Sequence, residues 1–234
     1  MAAPLIALRD VSLTVAAPDG TRRALLDRVS LDIAPGELVY LTGPTGSGKS
    51  TLLRLLYADV APQLGTVRVG DYRSETLREA EIPYLRRTLG IVFQDFQLLP
   101  DRTVFENVAF PLYVTGKSGA SVKTRALAAL TRVGLAHKQH RHPHELSGGE
   151  QQRAAIARAI VGGPRIVLAD EPTGNLDPGV ADEIMGLLLT LHKQGVTLVI
   201  ATHDYRIVRR HPSRTFALDV RRLVEINPLT LARG

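Results

Sequence analysis

The feature that most constrains this chain is the glycine-rich segment GPTGSGKS at residues 43–50, which matches G-x-x-x-x-G-K-[ST] at every fixed position. The short apolar run ELVYLTG (37–43) leads into it, and the run TLLRLL (51–56) has the composition of a helix. An apolar strand, a phosphate-binding loop and a helix in this order are typical of α/β proteins. We therefore expect a buried strand to deliver this loop to the start of a helix.

The residue types in this segment explain how it would hold a polyphosphate. Glycines let the backbone curl until successive N–H groups point inward around a phosphate. Lys49 would place a compact positive charge against the β- and γ-phosphates, and Ser50 would offer its hydroxyl to Mg²⁺. The helix that begins near Ser50 would point its positive end at the same anion. The predicted nucleoside triphosphate site consists of Gly43, Pro44, Thr45, Gly46, Ser47, Gly48, Lys49, Ser50 and Thr51.

The rest of the chain predicts an α/β fold with a single domain over residues 1–234. Apolar residues alternate with polar ones at 29–33 and 67–69, which favours half-buried antiparallel strands near the N-terminus. The nearly continuous apolar runs 166–169 and 197–202 suit strands of a parallel sheet that is buried on both faces.

The middle of the chain, about 95–161, is expected to form a helical subdomain within this core. Ser121 could cap a helix in this region. The apolar face of that helix would consist of Val122, Ala126, Leu130 and Val133. The expected fold therefore combines a mostly parallel core sheet, an N-terminal antiparallel β subdomain and a helical subdomain.

Two carboxylates, Asp170 and Glu171, directly follow the apolar run 166–169. In phosphoryl transfer a carboxylate at such a strand end holds Mg²⁺, and a second one can polarise the attacking water. Standing alone, the two residues could also be an ordinary solvated strand end. The presence of Lys49 and Ser50 in the same chain favours the catalytic interpretation.

A second candidate anion site lies at residues 146–153, LSGGEQQR, ahead of the helical run AAIARAIV. Ser147 and Glu150 have the S-x-x-E spacing of a capping box, which predicts a helix start. Gly148 and Gly149 would leave the first turn bare, so that a phosphate could approach its N–H groups. A capped helix without any ligand explains the same spacing, and both interpretations stay open at this point.

The segment LSGGEQQR resembles the signature motif of the ATP-binding cassette family, and the other motifs of that family stand in the expected order. They are a glutamine loop at Phe93-Gln94, the acidic strand at 166–171, a D-loop at Asn175-Leu176-Asp177 and a switch histidine at His203. The resemblance runs from about residue 5 to residue 225 and implies the P-loop nucleotide-binding fold of the family. It also implies a head-to-tail homodimer that forms on ATP binding.

The resemblance assigns roles to individual residues. Glu171 would be the general base, and His203 would contact the γ-phosphate. Gln94 would touch both the metal and the attacking water, while Lys49 would stay on the phosphates. The Mg²⁺ ligands would be Ser50, Gln94 and Asp170.

In the implied dimer, the signature of one subunit closes onto the phosphate loop of the other. The residues acting in trans would be Ser147, Gly148, Gly149 and Glu150. Asp177 would cross the dimer interface. Asp177-Pro178 also fits a helix N-cap followed by proline at the first helical position, and the two interpretations are compatible.

One position departs from the family pattern. An aromatic side chain usually stacks on the adenine, and alignment places Val15 there, with no aromatic residue before Tyr40. The loss of that stacking predicts weak ATP affinity and relaxed choice of base.

Residues 93–112, FQDFQLLPDRTVFENVAFPL, carry the partner identity in this family, because that stretch meets a short cytoplasmic helix of a membrane protein. Its pattern is similar to the cassettes that act with a polytopic membrane protein in cell division and the control of peptidoglycan hydrolysis. Lipoprotein-releasing and macrolide-exporting cassettes share much of the pattern and remain alternatives.

Composition bears on location and on other partners. No apolar run approaches the roughly 20 residues of a membrane-spanning helix. We therefore expect a cytoplasmic protein, held peripherally on the cell membrane by its partner. The net charge of +6 could suit nucleic acid. However, DNA- and ribosome-associated cassettes typically carry long coiled coils or two cassettes in one chain, so no nucleic acid is expected.

A histidine cluster is the remaining candidate for metal binding. It comprises His137, His140, His142 and His144. The chain has no cysteine, and a proline interrupts this loop, so a solvated connection is the favoured interpretation.

Overall fold

The computed structural model describes residues 3–16 and 22–230. The chain divides into two compact units, one of Met1–Arg86 with Thr197–Gly234 and the other of Arg87–Val196.

In chain order the strands are β1 (Ile6–Ala16), β2 (Arg22–Ile33), β3 (Leu38–Thr42), β4 (Leu64–Val69), β5 (Tyr72–Arg73), β6 (Leu89–Val92), β7 (Ile166–Asp170), β8 (Thr197–Ala201), β9 (Arg214–Asp219) and β10 (Arg222–Ile226). The α-helices are α1 (Lys49–Leu56), α2 (Ile82–Arg87), α3 (Val104–Val114), α4 (Gly119–Arg132), α5 (Gly148–Ile160), α6 (Pro178–Lys193) and α7 (Tyr205–Arg210). Short 3₁₀ turns occur at Glu79–Glu81, Ala136–Lys138, Pro143–Glu145 and Pro228–Thr230.

An antiparallel sheet in the first unit has the strand order β2-β1-β4-β5. Ile6 of β1 lies opposite Ile33 of β2 and Val69 of β4, and all three side chains are buried. Leu8, two residues further along β1, repeats the arrangement because side chains two apart share one face of a strand. The antiparallel strands predicted near the N-terminus are confirmed.

Parallel strands form the centre of each unit. In the first unit β3 pairs in parallel with both β8 and β9, and β10 closes that group as an antiparallel neighbour of β9. In the second unit β6 and β7 are parallel. Every residue of β3 and β8 is buried, as expected for parallel strands covered on both faces. Because parallel strands end at the same edge, the segments after β3 and β8 emerge together, as do those after β6 and β7.

Helices α3, α4 and α5 of the second unit pack against one another. The predicted apolar face of α4 is confirmed, since Val122, Ala126 and Leu130 are fully buried. The predicted cap was wrong: Ser121 lies inside the first turn, and the extended backbone of an N-cap residue occurs at Ser118.

Candidate nucleotide-binding site

The phosphate loop connects Thr42, the last residue of β3, to Lys49, the first residue of α1. The Lys49 side chain is 5% exposed, and its Nζ donates to the carbonyl oxygens of Gly43 at 2.9 Å and Pro44 at 3.3 Å. Burying an ammonium group is costly unless its donors are paired. The loop supplies the acceptors itself, and it is therefore curled around the charge that is predicted to meet the phosphates.

Two glycines in the loop have different physical roles. Gly43 has a φ of +142°, and a Cβ there would lie 2.6 Å from the carbonyl oxygen of Leu218 and 2.9 Å from Ser47 Oγ. A side chain at this position would therefore both clash and strain the backbone. Gly46 has a φ of +79°, but a Cβ there would meet nothing within 4 Å. Gly46 thus leaves open space beside an exposed part of the loop.

The start of α1 has the character of an anion site. Gly48 occupies the N-cap position of α1, and this glycine provides no side-chain cap for the first turn. Helix N-termini leave backbone N–H groups without partners inside the helix, and these groups can bind phosphate. Within residues 3–16 and 22–230, the buried hydroxyl of Ser47 also lacks a hydrogen-bond partner. Ser50 is exposed on the same turn.

His203 lies in the same unit, two residues after the end of β8. The N–H of Thr202 donates to the carbonyl oxygen of Leu41 at 2.9 Å, so the chain after β8 runs beside the end of β3. His203 is exposed. The first unit therefore brings the phosphate loop and His203 to the carboxyl ends of two neighbouring parallel strands.

In the second unit, Asp170 ends β7 and Glu171 follows it. Glu171 is only 8% exposed and has a φ of +44°. A left-handed conformation is uncommon outside glycine and often marks a functional constraint. Gln94 follows β6, the parallel neighbour of β7, and is exposed. The predicted metal ligands Asp170 and Gln94 thus lie at one edge of this strand pair.

A glycine that the sequence did not single out shapes this edge. The N–H of Gly174 donates to the carbonyl oxygen of Glu171 at 2.9 Å and closes a turn after the two carboxylates. A Cβ at Gly174 would lie 3.5 Å from Glu171 Cβ and 3.7 Å from Gln94 Nε2. Gly174 therefore lies in the loop that follows Glu171, the predicted base, and close to the side chain of Gln94, the predicted ligand of the metal and the water.

The capping box at the start of α5 is confirmed. Ser147 Oγ accepts from the N–H of Glu150 at 3.3 Å, and the Glu150 carboxylate accepts from the N–H of Ser147 at 3.1 Å. Lys138 Nζ donates to the same carboxylate at 2.5 Å. The hydrogen bond from Lys138 is the main cause that lowers the pKa of Glu150. The carboxylate therefore stays ionised while it holds the helix start.

The two signature glycines lie in different surroundings. Gly148 is exposed, as expected for a bare first turn. Gly149 is buried, and a Cβ there would lie 2.4 Å from Val180 Cγ1 of α6. The absence of a side chain at Gly149 is therefore required for the packing of α5 against α6.

Asp177 forms the helix cap that the sequence predicts. Its Oδ1 accepts from the N–H groups of Gly179 and Val180, both at 3.1 Å, and Pro178 is the first residue of α6. The side chain is exposed.

Gln152 is a site residue that sequence reasoning missed. It is 1% exposed, and its Nε2 donates to the carbonyl oxygen of Pro172 at 2.7 Å, directly after Glu171. Gly149, Gln152 and Ile156 recur at helical spacing and lie on one buried face of α5. This spacing could have indicated that Gln152 is buried, and a buried amide requires a hydrogen-bond partner.

The remaining sequence predictions concern Val15, the histidine cluster and membrane-spanning helices. Val15 lies in β1, and its side chain is 38% exposed. His142 and His144 stack with ring centroids 5.8 Å apart. Across the described ranges, no three His, Asp or Glu side chains are grouped so that they could hold a metal ion. No helix in those ranges has the length and apolar character to span a membrane.

Comparison with known proteins identifies the family. A model of the ABC transporter family matches residues 26–174. The cell division ATP-binding protein FtsE of Bacillus subtilis is 47% identical over 202 residues, covering 86% of this chain and 88% of that protein. FtsE of Mycobacterium tuberculosis is 49% identical over 202 residues, with the same coverage of 86% and 88%.

The chain belongs to the ABC transporter family. A solved structure of the ATP-binding cassette MJ0796, a dimer in a post-hydrolysis state bound to ADP and phosphate, is 36% identical and superimposes with a TM-score of 0.86. The match covers 98% of this chain and 99% of that one. This ABC protein is an ATPase, and the fold predicted for it is confirmed.

The packing of α5 in this ABC ATPase generates a prediction. Gly149→Ala should lower the free energy of unfolding by about 1–3 kcal/mol, because the new methyl group overlaps Val180. Adding Val180→Ala should recover most of that loss. Urea unfolding without nucleotide measures both effects.

Gly148→Ala is the matched control, since its Cβ would meet only Leu176 Cδ2, at 3.5 Å. It should change stability by less than about 0.5 kcal/mol. Equal losses for the two alanine variants would contradict the packing role of Gly149.

Proposed function

We propose that this ABC ATPase binds ATP with Mg²⁺ and couples its hydrolysis to an FtsX-like polytopic membrane protein in cell division. The proposal rests on 45–49% identity to FtsE proteins over 84–86% of the chain. The pair would control peptidoglycan hydrolysis outside the membrane rather than pump a solute. The chain would lie on the cytoplasmic face of the membrane, held there by this partner.

The proposed roles follow the geometry of each unit. Lys49 and the first-turn N–H groups of α1 bind the phosphates, and His203 contacts the γ-phosphate. Glu171 accepts a proton from the attacking water, which Gln94 helps to orient. The burial of Lys49 among loop carbonyls and the left-handed backbone at Glu171 support these assignments.

Ser50, Gln94 and Asp170 would hold the metal. Their hydroxyl, amide and carboxylate oxygens are the hard ligands that Mg²⁺ prefers. When bound, Mg²⁺ neutralises charge that develops on the β- and γ-phosphates.

The working unit is proposed to be a homodimer that forms on ATP binding. The dimeric state of the related cassette MJ0796 supports this assembly. In it, one subunit presents Ser147, Gly148, Gly149 and Glu150 to the nucleotide of the other. The exposed Gly148 at the start of a capped helix suits such a contact, and Asp177 would lie at the interface.

Helix α3 presents an apolar surface for the membrane partner. Phe110, Tyr113 and Val114 are 40%, 52% and 54% exposed. Asn107, on the same helix, is fully buried and pins the preceding loop: its Oδ1 accepts from the N–H of Leu99 at 2.7 Å. The loop is thereby fixed next to exposed apolar side chains, as a surface that receives a partner helix requires.

The role of Glu171 can be tested by an isosteric change. Glu171→Gln removes the proton acceptor, and kcat for ATP should fall at least about 100-fold while ATP binding is retained. Phosphate release and equilibrium nucleotide binding measure the two effects. Glu183→Gln, which alters an exposed carboxylate paired with Arg153, is the control and should keep full turnover. Unchanged turnover in Glu171→Gln would remove this residue as the base.

The missing adenine-stacking ring predicts a relaxed choice of base. Wild-type protein should bind ATP and GTP with similar Kd values. Val15→Tyr should tighten ATP binding by about 1 kcal/mol, or roughly fivefold, because it restores an aromatic contact. Val15→Leu adds apolar volume without a ring and should not. A strict wild-type preference for ATP would exclude this interpretation.

Partner capture tests the cellular role. Tagged Glu171→Gln protein, purified from membranes with ATP, should retain an FtsX-like polytopic protein, identified by mass spectrometry. Phe110→Ser should weaken this capture, whereas Val224→Ser, at a valine 53% exposed in β10, should not. Recovery of a lipoprotein-releasing or macrolide-exporting partner instead would contradict the cell-division assignment.

A further inference from the structure

The last turn of α5 carries an arginine that no role above uses. Arg158 Nη1 donates to the carbonyl oxygen of Gln97 at 2.5 Å, and its Nη2 donates to that of Phe96 at 2.8 Å. Burial lowers the pKa of the Arg158 guanidinium. Among residues 3–16 and 22–230, no carboxylate forms an ion pair with it, so two backbone carbonyls receive its charge.

The two residues that Arg158 contacts share an unusual backbone conformation. Phe96 has a φ of +59° and Gln97 a φ of +47°. Left-handed conformations are costly for residues with a Cβ, and two in succession require support from the surroundings. A planar guanidinium with two parallel N–H donors fixes the direction of two acceptors, which a single point charge does not.

This left-handed turn is continuous with the loop that carries Gln94. The N–H of Phe96 donates to the carbonyl oxygen of Phe93 at 3.4 Å, so Gln94 lies inside a turn that Phe96 closes. The Gln94 amide in turn lies near Gly174, in the loop that follows Glu171. A change in direction at Phe96 would therefore move the Gln94 side chain relative to Glu171.

The same helix begins at the signature. Ser147 caps α5 at one end, and Arg158 lies about 16 Å further along its axis. A rigid helix thus connects the signature to the turn that positions Gln94.

We propose that Arg158 is a positioning residue for ATP hydrolysis, which holds the Phe96–Gln97 turn left-handed and so keeps Gln94 beside the loop of Glu171. It acts through Gln94 and touches no substrate. The inference rests on the proposed role of Gln94 in the hydrolysis reaction. A packing role for Arg158 alone would affect folding but would not depend on Gln94.

A double-mutant cycle in the full chain separates these cases. Arg158→Met keeps the aliphatic stem and removes the donors; it should lower kcat about 10- to 100-fold, because small misplacements of a reacting group are costly. The Kd for ATP should change less than about threefold. Gln94→Ala should lower kcat, and adding Arg158→Met to Gln94→Ala should lower it no further.

Arg125→Met is the matched control, because Arg125 Nη2 donates to the carbonyl oxygen of Gly162 at 3.2 Å, just beyond α5, and does not contact the turn. It should leave kcat within about twofold of wild type. If Arg158→Met does not fold by circular dichroism, Arg158→Lys replaces it in the cycle, since lysine keeps the charge without the paired donors.

The outcomes are distinct. Wild-type kcat in Arg158→Met, or losses that multiply in the double variant, would overturn the inference while the role of Gln94 stands. Wild-type kcat in Gln94→Ala would remove Gln94 from the proposed function, and the inference would fall with it.

Discussion

The phosphate loop depends on a buried ammonium group. Lys49 is nearly inaccessible to solvent, and the two carbonyl oxygens that satisfy it come from the loop to which it belongs. The curled loop thus helps to offset the cost of burying this charge. The same loop ends at Gly48, which gives the first-turn N–H groups of α1 no side-chain cap. The conformation that satisfies the cation is therefore also the one that prepares the loop for an anion.

In the second unit, helix α5 holds the two loops that carry proposed catalytic side chains. Its start is held by the reciprocal bonds of Ser147 and Glu150, and its first turn packs against α6 through Gly149. Gln152 then binds the chain after Glu171, and Arg158 binds the chain after Gln94. Helix α5 thereby contacts both loops that carry proposed catalytic side chains. A shift of the signature at the start of this helix would therefore displace both loops.

The sequence predicted those parts of the fold and site whose chemistry is local. The strand, loop and helix around residues 43–50 and the capping box at Ser147 depend on residues a few positions apart, so their spacing alone was sufficient to predict this local structure. Alternating and continuous apolar runs likewise distinguished the antiparallel strands from the parallel ones. The helix cap at Ser121 was wrong because several hydroxyl residues stand near that helix start, and the backbone conformation decides among them.

The contacts that the sequence could not predict join residues distant along the chain. Gly149 meets Val180, Gln152 meets Pro172, and Arg158 meets the Phe96–Gln97 turn only after the helices have packed. The motif LSGGEQQR identified the family but did not distinguish the structural roles of its individual residues. Packing separates them, since Gly148 faces solvent and Gly149 faces α6.

Lys138 offsets the negative charge that the capping box places at the start of α5. Glu150 places a negative charge at the helix start that is proposed to meet a phosphate, and like charges there would repel. Its ionised form is needed, because the carboxylate accepts the N–H of Ser147. Lys138 lies 2.5 Å from the carboxylate and offsets its charge without breaking the cap. We therefore expect the positive end of the helix dipole at Gly148 to favour the approach of an anion.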